Sequence, residues 1–441
     1  MYSDRTKKFL EDKDVEPCDR VEVVYKGRKH SGIIMPRSRQ GDQNAVVLKL
    51  DNGYNIGMEP DKIEEIEFKG SVEVDESLQV EGKETGDMDL VVLHTGGTIA
   101  SRVSYSEGGV KPSFSSDELL SLYPELCEEA NIETEVVAQM LSEDMEPGHW
   151  QEIAETVVEH RDSDGIIIGH GTDTIQYTAA ALSFMLENID IPVVIVGAQR
   201  SSDRPSSDAA MNLICASKFV QKDIPGVFVC MHAESSDSTA AVHRATRVRK
   251  MHTSRRDTFR SIGCDPVAEI DYKSGEVKVN REIEEPEADF RLRKEMERSV
   301  GFLKSVPSMD PEILDAYSEK KGLLIEGTGL GHLPVNSFDE YTEHHEEILE
   351  KVKDLAEESL VAMASQCLHG RVNMRVYDAG VKIDEAGVVS AKDMLPETAY
   401  VKLMWCLGQA ESFEEAEEMF TTDYAGEIRE REEHRHFGGE G

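Results

Sequence analysis

Two copies of one local pattern constrain the fold of this chain most strongly. Each copy is a short apolar run that leads into glycine and threonine: residues 90–100 read LVVLHTGGTIA and residues 164–174 read DGIIIGHGTDT. Such a run, followed by a stretch rich in small helix-forming residues, is typical of a buried parallel strand and its crossover helix. Because ligands bind at the carboxyl edge of open α/β sheets, Thr98 and Thr172 are predicted to present two hydroxyl groups to one crevice.

The rest of the chain from residue 90 alternates between strand and helix patterns, which predicts a doubly wound parallel α/β sheet and a second, smaller α/β domain. In the first domain, strands are predicted at 90–93, 133–138, 165–168, 193–196 and 226–231, and helices at 148–160, 174–186 and 207–220. In the second, strands are predicted at 300–306, 322–326 and 360–365, and helices at 311–319, 340–357, 397–409 and onward from residue 412. Residues 268–290 are predicted to form a hairpin around Ser274 and Gly275.

The first 70 residues have a different character. After a helical stretch at 1–16, residues 19–67 form short β-branched runs with period-two alternation, broken by turn dipeptides such as Asn52-Gly53. This pattern predicts a small all-β, SH3-like barrel, interpreted as a docking or stabilising module. The predicted domains are the barrel at 1–70, a linker at 71–88, α/β domains at 89–290 and 291–425, and an acidic tail at 426–441, of which residues 430–441 are expected to fray.

Composition restricts the classes of function. The chain has 87 acidic and 48 basic residues and a net charge of −39, so it is a poor direct ligand for nucleic acid. Its 7 cysteines are scattered with no C-x-x-C pair, which argues against a disulfide framework or a zinc ribbon and fits a reducing cytosol. No apolar leader or membrane-length run is present, so a cytoplasmic location without membrane contact is predicted.

The threonine loops need an activating base, because a threonine hydroxyl is a weak nucleophile by itself. Asp173 adjoins Thr172, and a loop that opens a helix offers backbone N–H groups to a developing oxyanion. Residues 243–261 carry seven lysines and arginines against one acid, Asp257. Two interpretations of this basic segment stay open: it neutralises acidic helices, or its arginines disfavour the ammonium form of Lys250 so that this lysine acts as a base.

These residues resemble a known family. TGGTIA at 95–100 and HGTDT at 170–174 are similar to the two signature motifs of bacterial-type L-asparaginases, which are amidohydrolases with threonine nucleophiles. The similarity continues through SEDM at 142–145, VIVGAQR at 194–200 and GTGLGHL at 327–333, and covers residues 88–410.

The resemblance implies an asparaginase-like fold and a set of site residues. It implies four catalytic residues, Thr98, Thr172, Asp173 and Lys250, with Tyr105 assisting Thr98. It also implies four substrate-binding residues, Gly97, Ser142, Glu143 and Gly171, and no metal site. Which threonine attacks first, and whether glutamine or asparagine is preferred, stay open.

A β-rich module in front of an asparaginase-like body further resembles the family of D subunits of archaeal glutamyl-tRNA(Gln) amidotransferases. That resemblance implies that this chain releases ammonia from glutamine or asparagine without a cofactor of its own. A partner subunit of the E type would hold ATP and Mg and would convert Glu-tRNA(Gln) to Gln-tRNA(Gln), contacting most of the tRNA. It also implies a homodimer within a heterotetramer. A free-standing L-asparaginase with an accessory barrel, and a non-enzymatic scaffold subunit, are the alternatives.

Overall fold

The structure is a computed structural model. It describes residues 2–17, 19–34, 44–50, 55–71, 88–96, 101–103, 110–112, 130–200, 207–281, 283, 286 and 288–437. The chain divides into two compact units. Unit 1 comprises residues 1–142, 169–172 and 197–214, and unit 2 comprises residues 143–168, 173–196 and 215–441. The predicted Asn52-Gly53 turn and most of the predicted linker lie outside the described residues.

Unit 1 begins with a short helix and an antiparallel sheet. Its elements are α1 (Asp4–Glu11), β1 (Asp19–Tyr25), β2 (Arg28–Ile34), β3 (Val46–Leu50), β4 (Asn55–Met58) and β5 (Ile63–Ser71). The described strands of this sheet pair in the order β4-β3-β2-β1-β5. Lys26 and Gly27 join β1 to β2 with φ values of 50° and 71°, the left-handed conformation that a two-residue hairpin turn requires. The predicted all-β character of this region is confirmed.

Alternation along these strands buries one face of the sheet. Val21, Val23, Ile34 and Leu48 are fully buried, and Leu10 of α1 belongs to the same apolar cluster. The remaining strands of unit 1 are β6 (Asp89–Gly96), β7 (Ser101–Val103), β8 (Val110–Pro112) and β9 (Asn131–Met140). β6 pairs with β9 in parallel, so the predicted strand at 90–93 is confirmed and is longer than expected.

Unit 2 carries most of the strand–helix alternation. Its first elements are α2 (Pro147–Glu159), β10 (Gly165–Gly169), α3 (Ile175–Met185), β11 (Leu186–Glu187), β12 (Pro192–Val196), α4 (Ala209–Val220, which begins in unit 1), β13 (Gly226–His232), β14 (Thr239–Arg244), β15 (Val248–Lys250), β16 (Phe259–Ser261), β17 (Ala268–Asp271), β18 (Val277–Val279) and β19 (Arg291–Leu292). Every residue of β10 and β12 is buried, as expected for strands of a parallel sheet covered on both faces.

The strands of this sheet in unit 2 follow the order β18-β17-β14-β13-β12-β10. β12 and β13 pair in parallel, as predicted, whereas β14, β17 and β18 extend the sheet in antiparallel fashion. The hairpin around Ser274 and Gly275 is confirmed as β17 and β18, although its strands are shorter than the predicted range. β14 was not anticipated because its sequence, TAAVHR, contains two alanines, which are depleted in strands.

The second α/β region forms its own parallel sheet. Its elements are β20 (Val300–Lys304), β21 (Gly322–Gly327), α5 (His345–Glu358), β22 (Leu360–Ser365), α6 (Asp378–Glu385), β23 (Val389–Ser390), α7 (Pro396–Gln409) and α8 (Phe413–Thr421). The strands pair in the order β20-β21-β22-β23, all in parallel.

Two helix predictions in this region are wrong in detail. The predicted helix 311–319 is a 3₁₀ helix, Pro311–Tyr317, closed by short-range bonds such as Ile313 N to Asp310 O at 3.2 Å. The predicted helix 340–357 begins only at His345. The hydroxyl of Thr342 bonds Asp339 Oδ1 at 2.9 Å and accepts from the Phe338 N–H at 2.8 Å, and such local bonds compete with helix formation.

The predicted tail is folded over residues 426–437, which include the described part of the stretch expected to fray. Glu427 is fully buried, the Arg429 N–H donates to Asp393 Oδ1 at 3.0 Å, and Glu432 accepts from the Gly370 N–H at 2.8 Å. These bonds hold the end of the described chain against the second α/β region. No helix among the described residues is long and apolar enough to cross a membrane.

Candidate functional site

The HGTDT loop follows directly from β10, and its first half belongs to unit 1. The Thr95 hydroxyl donates to the Gly169 carbonyl at 3.0 Å, which ties the end of the TGGT strand to the start of this loop. His170 is fully buried, and its Nδ1 lies 2.7 Å from the Gly171 carbonyl oxygen. Burial lowers the pKa of His170 to about 4, although the bond to Gly171 opposes the shift. The ring is therefore neutral at pH 7 and donates from Nδ1.

Two of the predicted substrate-binding residues, Gly171 and Ser142, lie against each other. A Cβ placed on Gly171 would lie 2.7 Å from Ser142 Cβ and 2.9 Å from Ser142 Oγ, closer than real side chains approach. Ser142 begins a short 3₁₀ helix, Ser142–Asp144, and is buried, whereas Glu143 is exposed. Thr172 is also buried, with 7% of its surface exposed. A side chain larger than hydrogen at position 171 would push Ser142 away from this loop.

The second half of the loop belongs to unit 2, where Asp173 meets Lys250. Lys250 Nζ donates to Asp173 Oδ1 at 2.6 Å. The lysine side chain is only 9% exposed, whereas the aspartate side chain is 65% exposed. Lys250 ends β15 and Asp173 precedes α3, so the pair joins two elements that are far apart in sequence. A charge-assisted hydrogen bond of this kind can relay a proton next to a hydroxyl nucleophile.

Most of the cations in the basic segment are paired with acids. Its ion pairs are Arg247–Asp393 at 2.7 Å, Arg249–Glu397 at 3.0 Å, Arg255–Asp257 at 2.8 Å, Arg256–Asp237 at 2.5 Å and Arg260–Asp257 at 2.9 Å. Asp257 accepts from two arginines, and these bonds hold its pKa well below the usual range. Acidic side chains thus neutralise most of the positive charges in this segment. Lys250 is the cation of the segment that pairs with the threonine loop.

Three of the predicted site residues, Gly97, Thr98 and Tyr105, lie outside the described residues. Among the side chains that the structure does describe, no group of three or more histidines, cysteines, aspartates or glutamates is arranged to hold a metal ion.

Three contacts that support this region were not predicted. Thr95 and His170 were noticed only as members of the motifs, and their bonds to loop carbonyls need the folded backbone to be seen. Within unit 2, the Trp150 indole N–H donates to the Thr178 hydroxyl at 3.0 Å, which fixes α3 against α2 just after the loop. The packing of α3 could have been inferred from its composition, because a helix that is apolar on all sides must be buried.

Three family models match the chain. They are "Asparaginase, N-terminal" over residues 89–285, "Glutaminase/Asparaginase C-terminal domain" over residues 299–420 and "GatD N-terminal domain" over residues 15–68. Among solved structures, the thermostable L-asparaginase from Thermococcus kodakarensis is 35% identical with a TM-score of 0.70 and covers 78% of this chain and 99% of its own. L-asparaginase I from Vibrio cholerae is 28% identical with a TM-score of 0.66, over 78% of this chain and 99% of its own.

The fold and the two threonine motifs therefore define an asparaginase-type α/β protein, and the predicted fold class is confirmed. The D subunit of glutamyl-tRNA(Gln) amidotransferase from Pyrococcus furiosus is 46% identical over 96% of this chain and 97% of that protein. The corresponding D subunit from Methanopyrus kandleri is 44% identical over 97% of this chain and 94% of that protein. The chain belongs to the family of glutamyl-tRNA(Gln) amidotransferase D subunits.

Proposed function

We propose that this chain is the amide-hydrolysing subunit of a tRNA-dependent amidotransferase. It releases ammonia from glutamine or asparagine, and a partner uses the ammonia to convert Glu-tRNA(Gln) to Gln-tRNA(Gln). One observation carries the hydrolytic role: the bond of 2.6 Å between Lys250 Nζ and Asp173 Oδ1, directly after Thr172 in the chain. The match of residues 15–68 to the GatD N-terminal domain supports the amidotransferase context.

The reaction begins with a threonine hydroxyl that loses its proton through Lys250 and Asp173. The resulting alkoxide, on Thr98 or Thr172, attacks the side-chain amide carbon of the substrate. Backbone N–H groups of the glycine loops stabilise the tetrahedral oxyanion. The C–N bond then breaks, ammonia leaves with the transferred proton, and water hydrolyses the acyl-enzyme to free the acid and the threonine. Tyr105 assists Thr98 in this scheme.

Substrate binding uses the loop residues that flank the nucleophile. Ser142 and Asp173 hold the α-carboxylate and the α-amino group, with Glu143, Gly97 and Gly171 around them. Support for this assignment comes from the close packing of Gly171 on Ser142, which leaves no room for a side chain between the loop and its neighbour.

The other half of the overall reaction belongs to the partner. An E-type subunit binds ATP, Mg and most of the tRNA, and this chain needs no cofactor of its own. The net charge of −39 supports that division, because a strongly acidic surface repels a polyanion. We place the protein in the cytoplasm as a homodimer within a heterotetramer.

A free-standing L-asparaginase is the second candidate. The likeness to the L-asparaginase from Thermococcus kodakarensis, 35% identical and with a TM-score of 0.70, favours it over a non-enzymatic scaffold. Ammonia release distinguishes the two enzymes. A rate on glutamine that depends on the partner subunit and Glu-tRNA(Gln) supports the amidotransferase, whereas full activity on asparagine alone supports the second candidate.

Replacing Thr172 by valine tests the hydrolytic role. Valine keeps the size of threonine but removes the hydroxyl, so Thr172→Val should abolish ammonia release while the protein stays folded. The matched control is Thr156→Val, because Thr156 is also buried and its hydroxyl donates to the Glu152 carbonyl of the same helix, α2, at 2.9 Å. Ammonia release at the normal rate from Thr172→Val would disprove the proposal.

A further inference from the structure

The strand that carries Lys250 is short. β15 has three residues and pairs with the three residues of β16 in a two-stranded sheet, with Lys250 opposite Phe259. The acid that Lys250 contacts, Asp173, is 65% exposed on a loop, whereas the lysine side chain is 9% exposed. The contacts of the residues before Lys250 also bear on where the lysine lies. We call residues 244–250, which end at this lysine, the lysine arm.

The lysine arm is anchored to the second α/β region by buried polar contacts. Arg247 is buried and binds Asp393 twice, through Nη2 to Oδ2 at 2.7 Å and through Nη1 to the backbone carbonyl at 2.8 Å. The Thr398 hydroxyl donates to the Thr246 carbonyl at 3.0 Å. Paired guanidinium bonds of this kind fix orientation as well as distance.

A second set of anchors comes from a segment far along the chain, residues 422–428. The Ala425 carbonyl accepts from the Thr246 hydroxyl at 3.0 Å and from Arg244 Nη1 at 3.2 Å. The Gly426 carbonyl accepts from Arg247 Nε at 3.3 Å. The match to the asparaginase C-terminal domain ends at residue 420, so this segment lies beyond it.

The 422–428 segment is itself folded around a buried carboxylate. Glu427 is fully buried, and its carboxylate accepts from Lys402 Nζ at 2.5 Å, from the Tyr424 N–H at 3.1 Å and from the Ala425 N–H at 2.7 Å. Gly426 has a φ of 71°, and a Cβ there would lie 2.5 Å from Arg244 Nη1. The turn therefore points two backbone carbonyls at the lysine arm, and a glycine is needed for it.

We propose that the 422–428 segment is a positioning element for Lys250: through the carbonyls of Ala425 and Gly426 it sets the lysine arm so that Lys250 meets Asp173. The proposal rests on the role assigned to Lys250 in the proposed function. Thr246 and Arg247 are positioning residues in this scheme, since they act on the reaction only through Lys250.

A conservative pair of substitutions at Thr246 tests the proposal with the full-length chain. Thr246→Val removes the donor to Ala425 and keeps the shape, and Thr246→Ser keeps the donor. We expect Thr246→Val to lower kcat for amide hydrolysis by about ten-fold or more with little change in KM, because a small misplacement of a catalytic group acts on the transition state. Thr246→Ser should restore kcat. Gly426→Ala should have the same effect as Thr246→Val, or a larger one.

Two further variants separate the possible outcomes. Arg371→Gln is the control, because Arg371 Nη1 donates to the Glu430 carbonyl and so contacts the same end of the chain without touching the lysine arm. A folded Thr246→Val protein with normal kcat, or an equal fall in Arg371→Gln, would overturn the proposal. If Gly426→Ala does not fold, the Thr246 pair decides. Lys250→Met tests the proposed function separately, since normal activity in that variant would refute the function itself.

Discussion

Gly171 and His170 show how single residues shape the threonine loop. His170 holds the loop backbone by bonding the Gly171 carbonyl, and Gly171 lets Ser142 approach within side-chain contact of the loop. Neither residue supplies a nucleophile or a base. Their effect on activity should therefore appear in substrate binding more than in the chemistry.

Gly171→Ala is expected to weaken substrate binding. The added methyl group would lie 2.7 Å from Ser142 Cβ, so Ser142 must move from its position. We expect KM for the amide substrate to rise about ten-fold or more, with a smaller change in kcat. Steady-state ammonia release measures both constants. Gly148→Ala in α2 is the control, since a Cβ there meets nothing within 4 Å, and unchanged KM in Gly171→Ala would contradict the assignment of Ser142.

His94 makes the stability of the fold depend on pH. It is 4% exposed near the end of β6, and neither ring nitrogen has a hydrogen-bond partner among the described residues. Burial lowers the pKa of His94 to about 4 from an ordinary value of 6.5. Between these values the unfolded chain binds the proton and the folded chain does not, so stability falls as pH falls through this window.

His94→Leu should remove this dependence. Relative to the variant, the wild-type protein should lose about 1.4 kcal/mol of unfolding free energy for each pH unit between about 6.5 and 4. Urea titrations of both proteins at about pH 5 and about pH 8 measure the difference. If the two proteins differ by the same free energy at both pH values, His94 is not the cause.

At the scale of elements, the most unusual contact joins α7 to the segment that follows α8. Lys402 and Glu427 are both fully buried and form an ion pair at 2.5 Å. The rings of Phe184, Phe420 and Tyr424 lie within 6.0 Å of the ammonium group. Burial raises the pKa of Glu427, but Lys402 and the hydrogen bonds outweigh burial, so the net shift is downward and the carboxylate is charged.

Removing one partner of this pair should destabilise the protein more than removing both charges. Lys402→Met leaves Glu427 charged and buried without its cation, which costs about 3–5 kcal/mol of unfolding free energy. Adding Glu427→Gln removes the charge and keeps an oxygen for the Tyr424 and Ala425 N–H groups, so the double variant should be more stable than Lys402→Met. Chemical denaturation of the wild type, Lys402→Met, Glu427→Gln and the double variant gives the coupling free energy between the two residues. A double variant less stable than Lys402→Met would contradict this account.

The elements differ in how far their sequences predict them. β10 and α3 were predicted within one or two residues because an apolar strand and an apolar helix flank a glycine-rich loop. β15 and β16 gave no such pattern, because Arg249, Lys250 and Arg260 occupy three of their six positions, and β14 reads TAAVHR, with two alanines where strands favour β-branched residues. Antiparallel pairing of β14 to β13 depends on contacts that local alternation does not encode.

At the scale of the whole molecule, charge is the dominant feature. With a net charge of −39, the acidic side chains of the folded chain repel one another. This repulsion destabilises compact states more than expanded ones. Added salt should screen the repulsion. We expect the thermal midpoint to rise between about 0.1 M and about 1 M NaCl, where the screening length shortens from about 10 Å to about 3 Å. Calorimetry at constant pH measures it, and a falling midpoint would show that attractive ion pairs outweigh the repulsion.

The contact between Asp173 and Lys250 could be expected from the sequence, whereas the contacts that hold the lysine arm could not. The motifs, read with the family resemblance, pointed to Asp173 and Lys250, and the structure places these two in contact. The anchors of the lysine arm were not predictable, because backbone carbonyls such as those of Ala425 and Gly426 accept bonds whatever the side chain. Residues 430–441 were expected to fray, because their composition does not reveal contacts such as the bond from the Gly370 N–H to Glu432.

The anchoring of the lysine arm by Ala425 and Gly426 also has a consequence for the order of events during synthesis. A ribosome makes the motif threonines, Asp173 and Lys250 long before it makes Glu427, on which the anchoring turn depends. A nascent chain can fold the sheet around β10 and still lack the contacts that orient its lysine. Under the positioning role inferred for residues 422–428, amide hydrolysis would therefore begin only after these residues emerge, so incomplete chains would not release ammonia.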